Sequence, residues 1–179
     1  MKALVIYESM FGNTRAVALA IADGIAQHMA VDAVEVGEAP AALPEDVALL
    51  VVGAPTHAHG MTSPNTRADA ARRAGDRLVS RGGGLREWLD RLLPMAAPPA
   101  IAVFDTRIKG PELLWGSAAK GATRRLQALG LKPKQPPQSF IVDGPTGPAF
   151  DRIGEGELER ARAWGASLAA AVEVRTAIG

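Results

Sequence analysis

Cysteine is absent from this 179-residue chain, aromatic residues make up only 4% of it, and twenty basic against nineteen acidic residues leave a formal charge of +1. Each scarcity excludes something. Without a thiol there is no disulfide framework, no thiolate nucleophile, no iron–sulfur cluster and no cysteine-ligated zinc. Redox chemistry would therefore have to be borrowed from a cofactor. Without a charge excess there is no global field to hold a nucleic-acid backbone or an anionic membrane. Long apolar runs are missing too. The run after Lys2 reaches Glu8 too soon for a signal-peptide core, and no later stretch is long enough to span a bilayer, so the expected location is the cytoplasm.

What is present is ordinary for a globular protein: 47% hydrophobic and 22% charged residues. The length suits one domain, residues 1–179, large enough to bury a core without metals or disulfides. Five short apolar segments are strand candidates: Ala3 to Tyr7, Val31 to Val36, Val47 to Val52, Ala100 to Phe104 and Ser139 to Val142. The first, third and fourth are near-continuous in apolar residues, as in strands covered on both faces. Asp32 and Glu35 make the second half-polar, which suits an edge.

Helical spacing fills the intervals. Val17, Ile21 and Ile25 recur every four residues beside small Ala18, Ala20 and Gly24, which permit close approach to a sheet. Leu85, Trp88, Leu89, Leu92 and Leu93 repeat the pattern before Pro94; Lys120 to Leu129 and Glu157 to Val174 supply two more helices. Strands alternating with helices imply right-handed crossovers and a mostly parallel, doubly wound α/β sheet in three layers. Thr56 to Gly84 is a long insertion in that plan, with five arginines from Arg67 to Arg81 and a closing run of three glycines. It reads either as a surface helix followed by a flexible linker, or as a lid or docking surface over a ligand. Trp88 and Trp164 sit among apolar neighbours and read as core, whereas Trp115 reads either as packing or as a cover for the ligand.

The loop between the first strand and first helix carries the most chemistry: Glu8, Ser9, Met10, Phe11, Gly12, Asn13, Thr14. A strand feeding directly into a helix presents unpaired amides and the positive end of the helix dipole at one point, where anions bind. Ser9, Asn13 and Thr14 add donors, and Gly12 allows the backbone to wrap closely. The competing reading is a simple helix cap from Ser9 or Asn13. The loop has neither the Gly-Lys-Ser/Thr ending of a nucleotide triphosphatase nor the Gly-x-Gly-x-x-Gly of a dinucleotide site, which suggests a single terminal phosphate.

The run from Val5 to Thr14 resembles the phosphate loop of the flavodoxin family, usually Thr/Ser-x-Thr-Gly-Asn-Thr, with Phe11 standing where threonine is common. The resemblance implies strand order 2-1-3-4-5 and FMN at the switch point. It implies that Ser9, Met10, Phe11, Gly12, Asn13 and Thr14 surround the phosphate. Pro55, Thr56, His57, Ala58, His59 and Gly60 after the third strand, and Asp105, Thr106 and Arg107 after the fourth, would flank the ring. Flavodoxins often sandwich the flavin between tryptophan and tyrosine on these loops. Here His57 falls at the tryptophan position, Ala58 falls where glycine permits a peptide flip, and no aromatic accompanies Thr106. The expected roles are electron transfer with the flavin doing the redox step, an FMN-dependent NAD(P)H:quinone reductase, or a non-redox module for a phosphate ligand. No protein residue is expected to be a catalyst, and no metal site is expected from His57 and His59. Expected partners are redox proteins or a small electron acceptor, with the chain a monomer or homodimer. Carriers of this family are usually strongly acidic and dock to basic partners, from which a near-neutral chain departs.

Overall fold

A computed structural model describes residues 1–110, 116–143 and 152–178 of the chain. Trp115 lies outside the described residues. Five parallel strands form one sheet in the order β2-β1-β3-β4-β5. They are β1 (Lys2–Tyr7), β2 (Ala30–Glu35), β3 (Val47–Pro55), β4 (Ala100–Ile108) and β5 (Gln138–Val142). The helices are α1 (Asn13–Ile25), α2 (Pro64–Ala74), α3 (Leu85–Arg91), α4 (Ala118–Ala128) and α5 (Glu157–Ile178). The doubly wound order expected from the loop resemblance is therefore the observed one, with β2 at an edge as its acidic residues suggested.

Two apolar cores flank the sheet, because successive residues of a strand face opposite ways. Leu4, Ile6, Leu50, Val52 and Val103 point to one side, where Trp88 and Leu89 of α3 and Ala122 and Leu126 of α4 cover them. Ala3, Val5, Leu49, Val51 and Phe104 point to the other, under Val17 and Ile21 of α1 and Leu168 and Val172 of α5. Burying each of the large aliphatic side chains contributes roughly 1.5–3 kcal/mol. Trp88 is fully buried, and its indole N–H donates to the Pro40 carbonyl at 3.0 Å. Trp164 packs edge-on against Phe104 and tilted against Phe140. The core reading of both tryptophans is observed.

The strands run further than their apolar segments. Gly53, Ala54 and Pro55 pair with Phe104, Asp105 and Thr106, so residues expected in loops form the carboxyl ends of β3 and β4. A proline is tolerated at such a terminus because it needs no onward ladder bond. The 56–84 interval contains α2, capped by Ser63, whose hydroxyl accepts from the Thr66 amide while Thr66 answers the Ser63 amide. A short 3-10 turn follows at Gly75–Arg77. Beyond it the chain is pinned: the Val79 amide donates to the Met10 carbonyl and the Ser80 amide to that of Ser9. The linker half of the surface-helix reading is therefore corrected, since these bonds fasten the segment to the loop after β1. Among the described residues no helix is long and apolar enough to cross a membrane.

Candidate functional site

The fully or nearly fully buried polar side chains of the described residues are Glu8, Ser9, Thr14, Thr62, Ser80, Asp105, Thr106 and Ser117. All of them gather at the carboxyl ends of β1, β3 and β4 or on segments that fold back there. Buried polar groups carry a desolvation cost and need partners, so their concentration at one end of the sheet marks where the chain has given up apolar packing. That end is also where ligands sit in open α/β sheets.

The loop after β1 is built around Ser9. Its hydroxyl accepts from the Gly12 and Arg15 amides, both at 3.2 Å, which curls the chain into α1. Gly12 sits at φ 96°, a conformation costly for any residue with a Cβ, and a Cβ placed there would meet nothing within 4 Å. The curl is thus glycine-dependent while its concave side is open. At the start of α1 the first amides have no carbonyl upstream to bond, and Asn13 and Thr14 line the adjoining cleft. The Thr14 hydroxyl lies 2.8 Å from that of Thr106, bridging the loop to β4.

Behind the loop lies a polar scaffold for which no motif prepared the reading. The Ser80 hydroxyl accepts from the Ser9 amide at 2.9 Å and donates to Glu35 at 2.5 Å. Glu8 is fully buried and accepts from the Thr62 hydroxyl at 2.5 Å and the Leu85 amide at 2.8 Å. Arg67 donates to that same Thr62 hydroxyl at 3.0 Å and pairs with Glu87 at 2.9 Å. Burial pushes the Glu8 carboxyl above its ordinary value, opposed by the Thr62 and Leu85 hydrogen bonds and the Arg67 charge. The hydrogen bonds from Arg67 and the Gly84 amide hold Glu87 below the usual carboxylate range, although partial burial works against them. The only sequence signal for this scaffold is a carboxylate directly after an apolar central strand, which demands a buried partner.

Between the loop and the ends of β3 and β4 opens a cleft of about 300 Å³. It brings together Met10, Phe11, Asn13, Thr14, Pro55, Thr56, His57, Ala58, Thr106 and Arg107 from the sequence expectation, and adds Arg73, Ile108, Val142 and Asp143. Ser9, Gly12, His59, Gly60 and Asp105 do not line it. Asp105 is fully buried and accepts from Thr56, Ser117 and the Ala119 amide, at 3.1, 2.6 and 3.0 Å. It buttresses the wall from behind. The Thr56 hydroxyl is occupied on both sides, donating to Asp105 and accepting from the Ala118 amide, so Thr56 presents mainly carbon to the cleft.

His57 to Gly60 close a tight turn through reciprocal amide–carbonyl bonds of 2.9 and 3.1 Å. Ala58 and His59, at φ 45° and 72°, occupy the left-handed region that favours glycine. His57 lies nearly parallel to Phe11, 17° between planes and 6.2 Å between ring centres. Desolvation, followed by the charge of Arg73, lowers the His57 pKa, so its ring is neutral near pH 7. Arg107 donates to the Gly110 carbonyl at 2.9 Å and holds its guanidinium in the cleft wall. Among the described residues no group of three or more His, Asp or Glu is placed to hold a metal ion.

With this geometry, residues 5–86 match the family model described as Flavodoxin. That span, a little under half of the chain, is similar to the flavodoxin family. The chain's fold is that of solved flavodoxins along nearly its whole length. A flavodoxin from the domain Archaea superposes with TM-score 0.61 at 18% identity, over 97% of this chain and 99% of that one. Oxidised flavodoxin 2 from Bacillus cereus gives 0.63 at 19% identity, over 96% and 99%. The flavodiiron protein from Giardia intestinalis gives 0.61 at 18%, over 97% of this chain but 36% of that one. No curated protein matches the sequence.

Against a flavodoxin pattern the cleft walls are distinctive. Phe11 and His57 offer rings to the cleft, while among the described residues Thr106, Arg107, Ile108 and Val142 line it without a further aromatic ring. The residues fit a flavin phosphate ester: a glycine turn with open space at Gly12, the N-terminus of α1 with Asn13 and Thr14 lining the cleft, and a mostly apolar slot leading away from it.

Proposed function

We propose that this protein binds FMN and works as an electron-transfer protein, with the phosphate in the loop from Ser9 to Thr14 and the ring in the cleft beyond it. The observation that carries the reading is the Ser9-organised curl, which leaves the first amides of α1 beside a slot bounded by the ends of β3 and β4. Bound FMN would supply one- and two-electron redox chemistry that no side chain here can perform. The chain's own contribution is binding and polarity. Asn13 and Thr14 would donate to the phosphate, Phe11 and the neutral His57 would offer flat faces to the ring, and the Arg107 cation of the cleft wall would offset negative charge gained on reduction. Asp105 is assigned to supporting Thr56 rather than to touching the cofactor.

A nicotinamide-dependent quinone reductase is the second reading, favoured by one observation: Arg73, from the 56–84 insertion, lines the cleft and could hold an anionic substrate group. Titration of flavin-free protein with FMN tests the first step. Saturable one-to-one quenching of flavin fluorescence is expected, weakened about tenfold or more by Ser9→Ala with Thr14→Val, since the first removes the acceptor that curls the loop and the second a hydroxyl donor to the phosphate, a lost hydrogen bond costing about 1 kcal/mol or more. Absence of binding by folded wild-type protein would leave only the fold and favour another phosphate ligand. Steady turnover of NAD(P)H with a quinone would move the assignment to the reductase.

A further inference from the structure

Beside the cleft lies a second hollow of about 340 Å³, lined by His57, Ala58, Asn65, Thr66 and Asp69. The two hollows share His57 and Ala58, which makes the turn from His57 to Gly60 their common wall. That wall is held in a strained form, with Ala58 at φ 45° and the turn closed by amide–carbonyl bonds in both directions. One face of α2 lines both hollows: Asn65, Thr66 and Asp69 reach the second, and Arg73, four residues beyond Asp69, reaches the cleft. Asp69 pairs with Arg73 at 2.9 Å, so a single ion pair has one member in each hollow. α2 is fixed in place by its Ser63 cap and by Arg67, which is tied to Thr62 and Glu87.

The chemistry of the second hollow follows from which of its groups are already engaged. The Thr66 hydroxyl accepts from the Ser63 amide at 2.8 Å and donates to the Ser63 carbonyl at 3.1 Å. Asp69 is held by Arg72 and Arg73 at 3.2 and 2.9 Å. The Asn65 amide and the His57 ring have no hydrogen-bond partner among the described residues. Both offer N–H donors, His57 through the one N–H of its neutral imidazole. An anion would face Asp69, and a cation would compete with two guanidiniums for it. The matching molecule is therefore uncharged and accepts hydrogen bonds. Since a cavity of about 150 Å³ holds benzene, a substituted ring has room here.

We propose that this second hollow binds a small quinone, an uncharged ring with two carbonyl acceptors, and that the Asn65 amide selects it. Its use as the place of an electron acceptor rests on the FMN and reductase readings above; the binding itself does not.

The probe is duroquinone, whose fully substituted ring has no open position for addition by lysine. Its binding is followed by equilibrium dialysis, without reductant, to the flavin-free chain and to the chain with saturating FMN. Saturable binding that FMN leaves in place is expected. Asn65→Leu, at an exposed position of α2, should weaken it about tenfold, and Asn65→Gln, which keeps an amide, by no more than about threefold, both with wild-type FMN affinity. His57→Leu should weaken both molecules, because His57 belongs to both hollows. Displacement of duroquinone by FMN would put the ring in the cleft and overturn the proposal, as would binding indifferent to Asn65→Leu. A folded chain that takes FMN but no duroquinone refutes this proposal alone, whereas Asn65-dependent binding by a chain that does not take FMN refutes only the cofactor reading.

Discussion

On one face of the sheet α1 and α5 cross so closely that a Cβ on Gly24 would lie 2.0 Å from the Arg162 carbonyl oxygen, and one on Gly165 2.1 Å from that of Ile21. On the other face, α3 and the residues leading from Thr62 to Gly84 meet the end of β1 through a buried carboxylate, a shared hydroxyl and a guanidinium. The first contact is apolar, needs no directionality and tolerates no added atom. The second is directional, and each group in it is costly to bury unless its partner is present. The difference teaches where function can reside. The α1–α5 face holds the domain together, whereas the opposite face spends part of its stability on fixing the backbone of the loop between Glu8 and Thr14.

The largest expected effect attacks the apolar contact. Gly24→Val forces the two helices apart and should remove about 3 kcal/mol of stability in denaturant unfolding, with FMN affinity of the folded protein nearly unchanged. An unaltered midpoint would show that the helices do not meet through Gly24. Thr62→Val strikes the polar contact, leaving Glu8 and Arg67 without their common hydroxyl. It should cost about 2 kcal/mol and, unlike the glycine change, also weaken FMN binding, which paired unfolding and titration curves can separate.

The pH dependence sharpens the contrast. Glu8 has its pKa raised from 4.5, so the folded chain holds a proton that the unfolded chain has lost. Glu8 therefore costs stability as pH climbs above 4.5 toward its folded value, and Glu8→Gln should gain relative to wild type across that window in unfolding measurements. His57 acts in the opposite sense. Its lowered pKa makes the folded chain lose stability as pH falls below 6.5, and His57→Gln should flatten that limb. The smallest effect belongs to the turn: Ala58→Gly relieves a positive φ and should raise stability by about 1 kcal/mol, read as a higher melting temperature.

Much of the scaffold was legible because its signals are local. Val5, Val51 and Val103 lie in unbroken apolar segments, and Val17, Ile21 and Ile25 repeat at helical spacing, so β1, β3, β4 and α1 could be located from neighbours alone. The glycine turn after β1 was legible for the same reason, since its polar side chains and glycine lie within six residues. The carboxyl ends of β3 and β4 were not, because Gly53-Ala54-Pro55 and Asp105-Thr106-Arg107 carry no apolar pattern and become strands only by pairing with each other or with β5. Glu8, Thr62 and Ser80 were missed because their partners lie 77, 54 and 71 residues away along the chain.

The amino-acid sequence by itself determined the class of fold, the order of its elements and the glycine turn between β1 and α1, since periodicity and turn chemistry act between residues a few positions apart. Tertiary structure alone decided that Asp105 supports Thr56 from behind the cleft, that Arg73 enters its wall, and that Val79 and Ser80 fasten the loop after β1. Those outcomes depend on hydrogen bonds between groups that come together only once the sheet is closed, and on which of several equally polar side chains the packing leaves without water.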